Sequence, residues 1–163
     1  MKFYRTLTPF KLISFDLDDT LYDNRQVIQD AEDQFVFKFA EITKIPVTRE
    51  EWKNWRTQIF MQTPILCEDV TRWRQETVYQ FLQKHGKSAV QIESIWQQVL
   101  HHFLEWRHKM IIPAENRAIL SALKVRYPLV AITNGNVSPE RIGLHFDLKL
   151  TGGVQGRAKP PLD

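Results

Sequence analysis

Cysteine is almost absent from this sequence of 163 residues, and long hydrophobic runs are absent altogether. The single cysteine, Cys67, cannot form an internal disulfide, and no spacing of cysteine and histidine is typical of a zinc site. No stretch of 18 apolar residues is present, and the N-terminal segment lacks the apolar run of a signal peptide. We therefore expect a cytoplasmic protein with no membrane partner.

An excess of charge of one sign is also lacking. The 22 basic residues against 19 acidic ones leave a net charge of +3, and the basic residues are scattered. Basic and aromatic residues alternate in places, as in Arg72-Trp73-Arg74, but glutamates are interspersed among them. We therefore expect no nucleic-acid partner. The length is sufficient for one hydrophobic core with an inserted subdomain.

Glycine is scarce before residue 135, where Gly86 stands alone, and five glycines follow between residues 135 and 156. All five tryptophans lie between residues 52 and 106, in a stretch with helical periodicity. Capping-box patterns begin at Thr48 and Ser88, and Gly86 suits a helix C-terminus. These signals predict a separate helical unit with helices at about 24–42, 48–63, 70–85 and 88–106, followed by a shorter helix at 113–127.

Short apolar runs of a different kind flank this helical unit. Residues 12–15, 129–132 and 146–150 are typical of buried parallel strands, and the first two are followed by polar turns. The order of strands and helices predicts an α/β fold with a Rossmann-like parallel sheet and an inserted helical cap. We assign residues 1–23 and 111–163 to the core and residues 24–110 to the cap.

Three aspartates follow the first predicted strand: Asp16, Asp18 and Asp19. Such crowded carboxylates repel one another unless a cation or hydrogen-bond donors compensate, and a hard, oxygen-binding metal is one answer. In a locally extended chain, Asp16 and Asp18 share a side while Leu17 points into the core. One carboxylate could then attack a substrate while the other transfers a proton. The alternative is an acidic turn that ends the strand and caps the next element.

Two later segments have side chains that suit phosphate. Thr133, Asn134 and Gly135 follow the second predicted strand and offer a hydroxyl, amides and a flexible backbone. Lys159 lies after a glycine-containing loop and could neutralise charge on a phosphoryl group. Each segment alone also has an ordinary interpretation, as a turn in the first case and as a solvated lysine in the second.

Taken in chain order, three segments carry a family resemblance: Phe15-Asp16-Leu17-Asp18-Asp19-Thr20, Ile132-Thr133-Asn134-Gly135 and Lys159-Pro160. The chain resembles the haloacid dehalogenase superfamily of hydrolases. The resemblance covers three of the family's four motifs and the cap inserted after the first. It implies a Rossmann-like fold and the hydrolysis of small phosphomonoesters with Mg²⁺ as cofactor.

Carried over by matching positions, the resemblance implies a role for each motif residue. Asp16 is the expected nucleophile and Asp18 the expected general acid and base. The two aspartates also hold magnesium, Asp18 through its backbone carbonyl. Thr133, Asn134 and Lys159 are expected to bind the phosphoryl group. True dehalogenases of the superfamily lack the second aspartate, so Asp18 favours phosphate esters over carbon–halogen bonds.

Residues 16–24, 69–74 and 128–136 are similar to a branch of the superfamily that dephosphorylates flavin mononucleotide and a riboflavin-pathway intermediate. Trp73 lies within that cap segment and is our candidate for stacking on a flavin or pyrimidine ring. The sequence ends at Asp163, before the family's fourth motif. We therefore also expect an incomplete core with little or no turnover, and a non-catalytic phosphate-binding module remains an alternative.

Overall fold

A small parallel sheet forms the base of the structure, a computed structural model that describes residues 9–152 and 154–155. Its three strands are β1 (Ile13–Phe15), β2 (Leu129–Thr133) and β3 (Leu148–Thr151), in the order β1-β2-β3. Leu129 lies opposite Ile13 of β1, and Thr133 lies opposite Thr151 of β3. Both pairings are parallel, so the carboxyl ends of all three strands meet at one edge of the sheet.

The first four of the five α-helices between β1 and β2 form the cap: α1 (Arg25–Thr43), α2 (Arg49–Gln62), α3 (Val70–Lys84) and α4 (Ala89–Arg107). Both predicted capping boxes are present, with Thr48 before α2 and Ser88 before α4. Gly86 follows the end of α3 with a φ of 71°, a conformation that favours glycine. A 3₁₀ turn at Pro64–Glu68 was not expected from the sequence.

Aromatic side chains fill the centre of the cap. Phe35 of α1 is fully buried, and its ring centroid lies 5.1 Å from that of Trp52 on α2 and 6.1 Å from that of Phe103 on α4. Phe39 packs one turn further along α1 against Phe81 of α3. Because Phe35 and Phe39 are four residues apart, they lie on one face of α1, and this face is directed to the interior of the cap.

A second hydrophobic cluster lies against the sheet. Its buried members include Leu17, Leu120 of α5 (Ala114–Lys124) and Leu129 of β2. Asn116 of α5 donates a hydrogen bond from Nδ2 to the Leu21 carbonyl (2.9 Å), which attaches the helix to the chain after β1. The division into a core and a cap at residues 24 and 110 stays a prediction.

The predicted fold class, an α/β Rossmann-like sheet with an inserted helical cap, is confirmed. The third strand lies slightly later than predicted, because Phe146 precedes β3 and packs its ring on that of Phe15 (6.3 Å). A short 3₁₀ turn occurs at Glu140–Ile142. Within the described residues, the helices are too short or too polar to cross a lipid bilayer.

Candidate active site

The acidic loop begins directly after β1. Asp16 is exposed, Leu17 is completely buried and Asp18 is half-buried, which is the alternation that the sequence predicts. The backbone N–H groups of Thr20 and Leu21 donate hydrogen bonds to the Leu17 carbonyl at 3.3 and 2.9 Å, so the chain turns back at once. The two carboxylates therefore lie at the carboxyl edge of the sheet, where α/β proteins commonly bind ligands.

Asp19 differs from its two neighbours in role. Its φ of 57° lies in the left-handed region, which aspartate tolerates better than most residues. Its carboxylate accepts a hydrogen bond from the Asn24 backbone N–H at 3.0 Å, directly before α1. For Asp19, the alternative interpretation of an acidic turn that caps the next element therefore fits.

Two buried side chains bind the Asp18 carboxylate, one from the same loop and one from the end of the cap. The Tyr22 hydroxyl donates to its Oδ1 at 2.7 Å, and Arg107 Nη2 at the end of α4 donates to the same oxygen at 3.2 Å. Arg107 also donates from Nη1 to the Asn24 side-chain oxygen at 2.7 Å. Burial raises the pKa of Tyr22, and the Asp18 carboxylate raises it further, so Tyr22 remains a hydrogen-bond donor at neutral pH.

The loop after β2 approaches Asp18 closely. The Gly135 N–H donates to Thr133 Oγ1 at 2.9 Å, which bends the chain immediately after the strand. A Cβ atom at Gly135 would lie 2.7 Å from Asp18 Oδ2 and 3.4 Å from Thr133 Oγ1. Only glycine therefore fits here without displacing a neighbour, and the two predicted motif loops meet at this point.

A cavity of about 440 Å³ lies between these two loops and the cap. On the core side it is lined by Asp18 and by residues 134–136, and on the cap side by charged side chains of α1 to α4. Among the described residues, four arginines and two carboxylates line it, which gives these side chains a net charge of +2: Arg49, Arg56, Arg74, Arg107, Asp18 and Glu32. An anion is therefore the ligand that the electrostatics of this cavity favour.

The predicted site residues do not all lie together. Thr133 is buried at the end of β2, and Asn134 lines the cavity with Asp18. Asp16 precedes Asp18 by two residues at the same sheet edge. Lys159 lies outside the described residues, and its predicted role stays a prediction.

Trp73, the expected stacking residue, lines a neighbouring cavity of about 300 Å³. Its indole N–H donates to the Arg56 carbonyl at 3.0 Å, and the Arg56 guanidinium lies over its ring, 4.4 Å from the centroid. The two cavities are adjacent, because the same three side chains line both of them: Glu32, Arg49 and Arg56.

Sequence reasoning missed Tyr22 and Arg107, the two side chains that bind Asp18. Tyr22 lies four residues after Asp18 and could have been considered on that ground. Arg107 is 89 residues away, at the end of a helix whose orientation no local pattern reveals. The cap arginines Arg56 and Arg74 were not predicted as site residues either.

A magnesium ion suits the chemistry of the acidic loop. Magnesium binds in proteins through one or two carboxylates together with phosphate and water oxygens. Asp16 supplies such a carboxylate beside an anion-favouring cavity, and Asp18 is expected to contribute its backbone carbonyl. Over residues 9–152 and 154–155, the structure contains no cluster of three or more acidic, histidine or cysteine residues that could hold a metal.

A parallel sheet with an acidic loop after β1, a threonine-glycine loop after β2 and a helical cap over both describes a capped, Rossmann-like α/β protein. The chain belongs to the haloacid dehalogenase-like hydrolase family, which it matches over residues 10–162. The expected family and the expected enzyme class, a hydrolase, are thereby confirmed.

A curated relative from Escherichia coli (strain K12), the 5-amino-6-(5-phospho-D-ribitylamino)uracil phosphatase YigB, is 36% identical over 165 residues. That match covers 98% of this chain and 69% of the relative.

Solved structures show the same architecture. A 2-haloacid dehalogenase from Pseudomonas syringae superposes with a TM-score of 0.79 at 28% identity, covering 88% of this chain and 64% of that one. The magnesium-bound HAD-hydrolase YfnB from Bacillus subtilis, described as putative, gives a TM-score of 0.54 at 21% identity and supports the fold alone. It is matched over 88% of this chain and 64% of its own. The chain thus spans about two thirds of the length of these relatives.

Proposed function

We propose that this protein hydrolyses small phosphomonoesters through a phosphorylated Asp16. The observation that carries the proposal is the meeting of the Asp18 and Gly135 loops at the floor of a cavity with a net charge of +2. Such a cavity attracts a phosphate ester and brings it to the edge of the sheet where both aspartates lie. The family membership and the phosphatase among the relatives support the same chemistry.

The reaction has two steps. A carboxylate oxygen of Asp16 attacks phosphorus, the bond from phosphorus to the ester oxygen breaks, and Asp18 gives its proton to the leaving alcohol. Asp18 then takes a proton from water, which attacks the phosphorus of the aspartyl phosphate and releases inorganic phosphate. Tyr22 and Arg107 position Asp18 for both proton transfers, because each donates to its Oδ1.

Three further residues are proposed to bind the phosphoryl group: Thr133, Asn134 and Lys159. Asp16 and Asp18 would hold magnesium, which neutralises phosphoryl charge when it is bound. Thr133 stands at the end of β2, where its hydroxyl oxygen already accepts the Gly135 N–H. Its hydroxyl proton is therefore free to point to another acceptor.

The proposed substrate is flavin mononucleotide or a phosphorylated riboflavin precursor. The name of the Escherichia coli relative, at 36% identity, supports a substrate of the riboflavin pathway. A cytoplasmic location is part of the proposal, because such a substrate is an intracellular metabolite and the chain has a single cysteine.

The test is magnesium-dependent release of phosphate from flavin mononucleotide and from phenyl phosphate. We expect turnover by the parent chain and none by Asp16→Asn, while Asp30→Asn on the surface of α1 retains turnover. Hydrolysis that persists in Asp16→Asn would rule out this nucleophile. Binding of the ester by folded protein without turnover would instead support the alternative of a non-catalytic phosphate-binding module.

Carbon–halogen hydrolysis is the second candidate, because the Pseudomonas syringae neighbour is described as a 2-haloacid dehalogenase. In that reaction Asp16 would attack carbon and expel halide, and no general acid would be needed for the leaving group. Asp18 lines the cavity and accepts hydrogen bonds from Tyr22 and Arg107, which supports the phosphatase over the dehalogenase. Halide release from 2-chloropropionate is therefore expected to be absent, and its appearance would favour the dehalogenase.

A further inference from the structure

On the cap side of the cavity, several buried N–H groups have no hydrogen-bond acceptor among the described residues. Arg74 is almost completely buried and donates from Nη2 to Glu32 Oε1, but its Nε and Nη1 have no acceptor within the described part of the chain. Arg56 donates from Nη1 to the same oxygen at 3.1 Å, and its Nε likewise finds no acceptor there. Buried donors of this kind are normally satisfied, so these sites call for a partner.

Positive charge exceeds negative charge around Glu32. Burial alone would raise the pKa of Glu32, but Arg74 and Arg56 outweigh it and hold the pKa below its usual range. A single carboxylate therefore faces two guanidinium groups. The face of the Arg74 guanidinium lies over the Phe103 ring, 3.9 Å from its centroid.

The neighbouring cavity repeats this pattern. Trp52 is buried, lines that cavity, and its indole N–H has no acceptor among the residues the structure describes. Trp73 adds an aromatic surface to the same cavity, and Arg56 lines both cavities. Guanidinium edges beside aromatic surfaces suit a flat ring with several carbonyl oxygens.

We propose that Arg56 and Arg74 bind the acceptor-rich ring of the substrate, an isoalloxazine or a pyrimidinedione, while its phosphate lies against Asp18 and the Thr133 loop. These two arginines then determine which phosphate esters are substrates, because they bind the alcohol portion of the ester. The inference rests on the proposed function for the phosphate end, but binding of the ring requires no turnover. A cavity of about 440 Å³ is within the range that holds ligands of this size.

Riboflavin, which has the ring but no phosphate, is the direct probe. Titration monitored by quenching of flavin fluorescence is expected to show binding by the parent chain. We expect binding to weaken by about tenfold or more in Arg74→Gln and in Arg56→Gln, because each loses a charged donor. Arg74→Lys keeps the positive charge but loses the planar pair of N–H donors. Its affinity for riboflavin should therefore lie between that of the parent and those of the glutamine variants.

The matched control is Arg72→Gln, the same change two residues earlier on α3 at an exposed position; it should bind riboflavin like the parent. If Arg74→Gln fails to fold, the double variant Glu32→Gln with Arg74→Gln removes both charges together and takes its place. Where turnover is measurable, kcat/KM for flavin mononucleotide should fall about tenfold further than that for phenyl phosphate in the Arg74 and Arg56 variants.

Equal riboflavin affinity in the parent and both glutamine variants would overturn the inference, as would the absence of riboflavin binding by the folded parent. Riboflavin binding that is lost in the variants, together with no phosphate release by the parent, would keep the inference and reject the proposed phosphatase. Phosphate release from flavin mononucleotide and phenyl phosphate with equal kcat/KM would support the phosphatase and reject the inference about the ring.

Discussion

Asp18 is contacted both by its own loop and by distant parts of the chain. A tyrosine hydroxyl, a buried guanidinium and the backbone at Gly135 all approach its carboxylate. A side chain constrained from three sides has few conformations left, so it loses little entropy when it meets a substrate. This is the arrangement that a proton-transferring carboxylate requires.

Gly135→Ala tests that constraint at the scale of one methyl group. The new Cβ would lie 2.7 Å from Asp18 Oδ2, so either the carboxylate or the loop must move. We expect phosphate release from flavin mononucleotide to fall by roughly 100-fold, since a displacement of about 1 Å at a catalytic group can cost that much. Thermal unfolding should show that the fold is retained.

Gly86→Ala is the matched control for this change. Nothing lies within 4 Å of a Cβ there, but the φ of 71° is unfavourable for alanine. It should lower the free energy of unfolding by about 1 kcal/mol and leave turnover unchanged. If Gly135→Ala turned over substrate like the parent, the close approach of Gly135 to the Asp18 carboxylate would be contradicted.

At the scale of elements, His108 joins the cap to the loop after β2. It follows α4 directly, and its Nε2 accepts the Ser138 backbone N–H at 2.9 Å, while Nδ1 bonds the Leu104 carbonyl. Nε2 must be unprotonated to accept this bond, so Nδ1 carries the proton. The imidazole is therefore neutral in the folded protein.

Acid is expected to weaken this connection. Burial lowers the pKa of His108 below its usual 6.5, and the cations of Arg141, Arg107 and Lys149 lower it further, against the opposing Leu104 hydrogen bond. The unfolded chain then binds a proton more readily than the folded one, so stability is complete above about pH 6.5 and falls as pH drops through the folded pKa. Urea unfolding at about pH 7.5 and about pH 5 should show this loss.

His108→Gln should reduce the difference in stability between the two pH values, because it removes the group that titrates. The half-exposed His102 has its pKa lowered chiefly by burial, and His102→Gln serves as the comparison on the same helix. An unchanged pH difference in His108→Gln would show that other groups are responsible.

The sequence predicted elements better than the contacts between them. The capping boxes at Thr48 and Ser88 placed the starts of α2 and α4, because a side chain three residues away completes each of them. The 3₁₀ turns were missed, since such short segments leave no periodic pattern. The Asp18–Arg107 pair was missed because the packing of α4, and not local sequence, brings the arginine to the sheet.

At the scale of the whole molecule, two hydrophobic clusters occupy separate regions. In the part of the chain that the structure describes, thirteen buried residues form the cluster of the cap and eleven form the cluster at the sheet. The cavity with Asp18 lies between residues of the cap and residues of the core loops. The sequence predicted both regions from periodicity, but the arginines that face the cavity depend on how the cap is oriented over the sheet.

Phe35→Ala tests the cap cluster. Phe35 is fully buried and its ring contacts Phe39, Trp52 and Phe103, so we expect the free energy of unfolding to fall by about 3–5 kcal/mol. Phe37→Ala, two residues further along α1 and 64% exposed, should change it by no more than about 0.5 kcal/mol. Similar losses from the two substitutions would show that α1 does not face the cap interior as described.

Phosphorylation of Asp16 is tested most directly by trapping the phosphorylated protein. The parent chain is mixed with magnesium and radiolabelled flavin mononucleotide, quenched in acid within the first turnover, digested and analysed by mass spectrometry. We expect label on the peptide that contains Asp16, sensitive to hydroxylamine as an acyl phosphate is, and absent from Asp16→Asn. Phosphate release without any labelled Asp16 peptide would contradict this expectation.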